Sequence, residues 1–442
     1  MKINTNKYFE IAKENKISPL ELKYSFGKET TVSVFNDKVE EQTIGNSYKL
    51  SGKGIINGKL GMYSTDKIDS DTPSVMINNI ISSAKFGRDE KKENFFSGGL
   101  KYKKAKIYSK DFVDSSLLEM KNEALSLSRE IKKMDSRISK VEVGLTKVEK
   151  EDQMYNSLGL AIKEKSRYYQ LMFEVICNSD NDTRTSYDYL TSFISIKDLK
   201  ENAKALISKT VKSALDSLNS TPIKSGKYKA VLSNYVTASL TSVYLSTLNA
   251  KSIQKHISIF ENKLNEQICS KSITLKHTPH VENTSSSSYD SDGYPTMDFV
   301  IVKKGILQNY FYSYETSLVD KVDNNGCGSG LGEASSIVTT FVPSKKSEED
   351  LIKKINNGIY ITSVSGLNSG IDEQTLNFSL PCEGYEINNG KLTRYVSMIV
   401  CAGNLKDLFN DINGVANNLS NRMDVISPSV SVKKVAISGG NE

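Results

Sequence analysis

The chain has 442 residues, 38% of them hydrophobic and 25% charged. At about 150 residues per domain this is enough for two or three domains with a real apolar core. A disordered tail, a collagen-like chain and a coiled-coil rod are excluded. No run approaches the ~18 apolar residues of a membrane span. The opening MKINTNKYFEIAKENK reads as a charged amphipathic helix and not as a secretory signal, so a cytoplasmic protein with no membrane partner is expected. The formal charge is only +6 and just seven of the 58 basic residues are Arg, which makes no nucleic-acid footprint. The five cysteines, Cys177, Cys269, Cys327, Cys382 and Cys401, include no CxxC pair and read as reduced thiols.

In chain order, helical spacing over 5–15 precedes alternating runs at 20–26, 30–36 and 47–57. Asn36-Asp37 and Asn57-Gly58 are turn signals, the second a good hairpin turn. A helix over 73–86 starts at Asp71 or Thr72 before Pro73 and ends before Gly87. The Lys-rich stretch at 96–112 reads as a solvated connector. A helix over 115–134 with Asp114 as N-cap follows, then strands at 138–149, 160–177 and 184–196 and a helix over 198–218. Helix, meander, helix thus occurs twice, which points to an internal duplication of units 1–95 and 113–220. Pro222 and the SGK after it mark a boundary. From 227 to 442 the chain reads as a strand, a helix from Tyr235, then β-rich sequence with late helices near 346–356 and 404–412. Without regular βαβ alternation the fold class is α+β, an N-terminal α/β-meander region followed by a β-rich C-terminal domain.

Motif by motif, the chemistry is sparse. Of the three histidines, His256, His277 and His280, none precedes a Glu, so H-E-x-x-H is absent. Pro279 interrupts the HxxH of His277 and His280, which read as surface or loop residues. GCGSGLG at 326–332 fits neither GxGxxG nor a P-loop and reads as a flexible loop. Its Cys327 has no His-bearing motif beside it to make a thiolate. The run from Tyr289 to Gly293 starts like a calcium loop, but Tyr294 and Pro295 occupy the third-ligand and glycine positions.

Several phrases, in order, carry a resemblance. They are HISIFENKLNEQICSKSITL at 256–275, SYDSDGYPTMDFVIVKKGILQNYFYS at 288–313, SGIDEQTLNFSLPCEGYEINNGKL at 369–392 and VCAGNLKDLFNDINGVANN at 400–418. Together with VSVFNDKVEEQTIG near 36 they resemble the TldD/PmbA (TldD/TldE) family of peptide-processing proteins over nearly the whole chain, with Asn265 where Gly is usual and GCGSGLG in place of a family loop. The resemblance implies two kinds of member. TldD-type chains carry His-Glu-x-x-x-His and a late Cys as zinc ligands; PmbA/TldE-type chains lack both and pair with a TldD chain.

In this sequence Thr241, Ser242 and Ser246 stand where that motif would be, and hydroxyls cannot replace imidazoles at zinc. The resemblance therefore implies a chain without catalytic or metal residues of its own and with no cofactor. It implies a heterodimer with a zinc-bearing TldD-type homologue, closing a chamber in which unstructured peptides are degraded or matured. The old family label of gyrase modulator finds no support in charge or motifs. Asp290, Asp292, Gly293, Glu383, Gly384 and Asn404 fall in the best-matching phrases. They are expected either to build turns or to converge on one surface facing the chamber or partner. The alternatives are a stand-alone peptide-binding homodimer and a peptidase with Cys327 or Cys382 as nucleophile.

Overall fold

The computed structural model describes residues 3–440. In its first half the order helix, three-stranded meander, helix occurs twice. Helix α1 (Thr5–Glu14), the meander β1 (Leu20–Phe35), β2 (Lys38–Ile56) and β3 (Lys59–Thr65), and α2 (Thr72–Ala84) form the first. After the connector come α3 (Leu117–Lys132), β4 (Ile138–Asn156), β5 (Ala161–Asn178), β6 (Thr183–Ser192) and α4 (Ile196–Ser217).

Asn36, Asp37, Asn57 and Gly58 all take positive φ at the two hairpin tips, as two-residue turns of the right twist require. The runs expected at 20–26 and 30–36 are one strand, because β1 pairs with β4 in register from Glu21 to Phe35, which keeps Gly27 to Glu29 extended. That pairing joins the two units into a single sheet of order β3-β2-β1-β4-β5-β6. The helix expected to start at Asp114 starts instead after Ser116, which forms a reciprocal capping box with Glu119.

All four helices cover one face of this sheet. Leu20, Leu22 and Tyr24 pack with Tyr8, Met76 and Ile80, and Val32, Val34, Val143 and Leu145 pack with α3 and α4. Alternation therefore places Glu21, Lys23 and Ser25 on the opposite face, toward the second half.

The second half begins with β7 (Gly226–Leu232), α5 (Asn234–Ser246), α6 (Ala250–Gln254), β8 (Leu275–His277), β9 (Phe299–Lys303) and β10 (Ile306–Leu307). Next come α7 (Tyr314–Asp320), β11 (Gly328–Gly330), β12 (Glu333–Ala334), β13 (Thr339–Phe341), α8 (Glu348–Ile355) and β14 (Gly358–Val364). The chain then runs through α9 (Leu367–Gly370), β15 (Asn377–Asn388), β16 (Lys391–Asn404), α10 (Leu405–Asn410), β17 (Ile412–Val415), β18 (Val425–Ile426) and β19 (Val430–Ser438).

Strands β7, β14, β15, β16 and β19 pair in a ring, since β19 bonds both β7 and β16. The ring encloses the main core with α5. A second sheet, β10-β9-β8-β13-β18, lies in the same half. No helix among the described residues is long and apolar enough to cross a membrane.

Candidate functional site

Helix α5 carries the three positions at which the resemblance puts a zinc motif. A regular helix turns about 100° per residue, so positions five apart point about 140° from each other. Thr241 accordingly faces the core, fully buried, and its hydroxyl donates to the Thr237 carbonyl at 2.6 Å. Ser246 ends the helix on the outside, its hydroxyl donating to the Val243 carbonyl at 2.8 Å. Ser242 is half-buried beside the carboxylate of Asp424, which burial raises above the usual range. The Thr241 and Ser246 hydroxyls are thus spent on carbonyls of their own helix. Among the described residues no three His, Cys, Asp or Glu side chains are grouped to hold a metal ion. This donor set does not fit zinc.

Asp290, Asp292 and Gly293 sit where the polar face of the long sheet meets the second half. Asp290 accepts from the backbone N–H of Asp292 and Tyr294, both at 2.9 Å, and of Gly328 at 2.8 Å. Asp292 accepts from the Tyr314 N–H, 2.9 Å away at the start of α7. Lys23 donates to the Ser291 carbonyl, and Lys53 bonds Glu21 at 3.1 Å. Three buried carboxylates thus meet here: Glu21 pairs with Lys53 and lies 4.0 Å from Lys23, whereas Asp290 and Asp292 are held by backbone N–H groups. Burial, with the Asp292 carboxylate next in size, pushes Asp290 up to about 8 against the pull of its three N–H donors. Glu21 is raised by burial as well.

The glycine-rich segment is part of this junction, not the flexible loop expected. A Cβ on Gly328 would lie 2.4 Å from one Asp292 oxygen, and one on Gly326, at φ +69, would lie 2.3 Å from the Pro295 carbonyl. Gly293, at φ +79, packs against Leu160 and Met154 of the first half.

Glu383 and Asn404 lie elsewhere, so the expected convergence on one surface does not occur. Both are on the β15–β16 hairpin, where Glu383 falls opposite the Val396–Ile399 stretch, about 20 Å along the strand from Asn404. Asn404 caps α10 through the Lys406 N–H and also bonds the Thr375 carbonyl. Gly384 marks a close strand crossing, since a Cβ there would come within 1.8 Å of the Tyr360 carbonyl. Glu383 accepts from the Tyr395 hydroxyl at 3.1 Å and lines a cleft of about 720 Å³. Strand β6, the start of α5 and Arg422 form its other walls. In that wall the Tyr189 hydroxyl donates to the Arg422 carbonyl, and the Arg422 guanidinium pairs with Asp188. A second cleft of about 500 Å³, lined by Lys150, Asp152, Asp290 and Ser285–Ser287, opens beside the aspartate junction.

The histidines expected at the surface are mostly inside. His277 is fully buried, held by the Met297 carbonyl at 2.8 Å and the Ile337 N–H at 3.2 Å, and burial lowers it to about 4. His280 is spanned by Asp298 and Thr296. Cys327 lies 3.9 Å from His277, a neighbour no local motif announced. Both ring nitrogens are taken, and burial raises the thiol well above its ordinary range. The Cys382 thiol is raised by Cys401 beside it and by burial. Neither thiol is poised as a nucleophile.

A six-stranded sheet shared by two repeats, joined to a β-rich domain around a five-stranded ring, is the architecture of a two-part α+β protein whose clefts lie where the parts meet. Residues 104–218 match the PmbA/TldA metallopeptidase central domain and 225–439 the PmbA/TldA metallopeptidase C-terminal domain. The chain belongs to the PmbA/TldD metallopeptidase family. A metalloprotease PmbA homologue of Buchnera aphidicola subsp. Acyrthosiphon pisum is 26% identical over 287 residues, 64% of this chain and 62% of that relative, so the match spans under two thirds of its length.

Two solved structures share the fold. A Thermotoga maritima protein described as a modulator of a DNA gyrase has a TM-score of 0.87 at 24% identity, covering 98% of this chain and 99% of its own. TldE of Thermococcus kodakarensis has a TM-score of 0.83 at 18% identity, covering 98% and 100%.

Proposed function

We propose that this chain is the PmbA/TldE-like, non-zinc subunit of a TldD/PmbA-type metallopeptidase complex that degrades or matures unstructured peptides in the cytoplasm. The observation that carries the reading is the α5 donor set. Where the resemblance puts two imidazoles and a carboxylate, this chain has Thr241, Ser242 and Ser246, and the Thr241 and Ser246 hydroxyls are bonded to carbonyls of their own helix. A zinc site needs three or four protein ligands drawn from imidazole, thiolate and carboxylate. The chain's contribution is then physical: it completes a closed space, excludes water and presents polar walls to an extended peptide. The zinc belongs to a TldD-type partner, and the clefts beside Glu383 and beside Asp290 are the surfaces offered to peptide or partner.

The test is co-expression with a TldD-type homologue carrying His-Glu-x-x-x-His. The expected result is a stable complex that contains zinc and cleaves an unstructured peptide. Failure of the two chains to associate would remove the reading, as would hydrolysis by this chain alone in chelator.

A further inference from the structure

The cleft of about 500 Å³ beside the aspartate junction has the polar face of the long sheet as one wall. Ser25, Asp152 and Glu164 stand there in one row across β1, β4 and β5. Lys150 is two residues from Asp152 along β4 and so shares its face. The segment Ser285–Ser287 of the second half forms part of the facing wall.

The carboxylates of this cleft are engaged within the protein. Glu164 accepts from the Ser287 hydroxyl at 2.8 Å, and from the Ser288 N–H at 2.9 Å and hydroxyl at 2.6 Å. Asp152 accepts from the Ser25 hydroxyl at 2.6 Å. Asp290 accepts from its three N–H donors, and burial raises it to about 8, so it is largely uncharged at pH 7.

Donors are left over instead. Lys150 is exposed in the cleft and pairs with no carboxylate among the described residues. Ser286 is only 4% exposed, yet its hydroxyl has no partner within the protein. A buried hydroxyl left without a partner is costly, and this residue lines an open cleft where a ligand can reach it. Its neighbours Ser287 and Ser288 hold Glu164, a diagonal neighbour of Lys150 at roughly 7–8 Å, so Ser286 and Lys150 serve the same part of the cleft.

Unspent donors, one of them cationic, beside carboxylates already satisfied match a ligand that accepts only and carries negative charge. Ile107, Met154 and Ile337 line the same space. They would cover an apolar side chain attached to that charge, and would do nothing for a bare phosphate.

We propose that this cleft binds the C-terminal carboxylate of a peptide, with Lys150 as counter-ion, the Ser286 hydroxyl as second donor and the terminal side chain against the apolar residues. The inference rests on the reading of this chain as a peptide-handling subunit and adds which end of the peptide it holds.

Isothermal titration calorimetry of the purified full chain tests it, with N-acetyl-Ala-Leu, its C-terminal amide and inorganic phosphate as probes. The free acid should bind about tenfold or more tighter than the amide. Lys150→Ala should erase that difference, and Lys150→Arg should keep it. Ser286→Ala should weaken binding of the acid without lowering the melting temperature, because the hydroxyl holds nothing in the free chain. Equal binding of acid and amide overturns the proposal, as does no binding of either at millimolar concentration. So does phosphate binding as tight as the acid, a Lys150→Ala chain that still prefers the acid, or a Ser286→Ala chain of unchanged affinity. Neither zinc nor a TldD-type homologue takes part, so this test can fail where the complex forms and succeed where it does not.

Discussion

At the scale of single residues, the aspartate junction sets a pH signature. Asp290 is raised to about 8 by burial and by Asp292, against about 3.9 unfolded. The folded state therefore holds a proton the unfolded chain has lost, and stability falls as pH rises through that window. Glu21, raised by the same burial, acts in the same direction. His277 works oppositely: lowered to about 4, it stays neutral when the unfolded imidazole, near 6.5, takes a proton. Its contribution is complete above about 6.5 and lost as pH falls toward 4. The two slopes offset each other between about 4 and 6.5, leaving the fall on the alkaline side. Urea unfolding should lose about 2 kcal/mol between pH 6.5 and 8. In Asp290→Asn that fall should shrink to what Glu21 contributes, while overall stability drops because an amide nitrogen cannot accept from the Gly328 N–H. A wild-type profile that rises over this interval would contradict the assignment.

At the scale of elements, adjacent positions on β15 separate two roles. Gly384→Ala would force a Cβ to 1.8 Å from the Tyr360 carbonyl, so β14 and β15 must part and thermal unfolding should come many degrees earlier. Glu383→Ala removes only an acceptor for the Tyr395 hydroxyl at the wall of the 720 Å³ cleft. It should move the melting temperature by no more than a few degrees, yet lower peptide cleavage by a reconstituted complex. If Glu383→Ala melts as early as Gly384→Ala, the carboxylate is structural and the cleft loses its candidate residue.

What could be read from sequence follows the range of the interaction. The Asn57-Gly58 turn and the helix opening at Pro73 are local and were legible. The continuity of β1 through Gly27 was not, because β4, more than a hundred residues away, holds it straight. Nor was the burial of His277 or of the glycines around Cys327, since each depends on partners distant in sequence. Glu21 and Lys23 alternate with Leu20 and Leu22 as any solvated strand face would. Only the tertiary fold closes that face with Asp290 and Asp292.

At the scale of the whole molecule, the chain combines the family's fold, clefts between its halves and an α5 that offers no donor set for zinc. The repeated meander builds one long sheet, the ring of β7, β14, β15, β16 and β19 carries α5, and the clefts open along their junction. The most direct test is a titration of this chain into a fixed amount of a zinc-bearing TldD-type homologue, following cleavage of an unstructured peptide and the zinc content of each chain. This chain alone should carry no stoichiometric zinc and cleave nothing, and activity should rise with its addition to a plateau at a fixed ratio. About one tightly bound zinc on this chain, or peptide cleavage by it without the homologue, would rule out a non-zinc subunit.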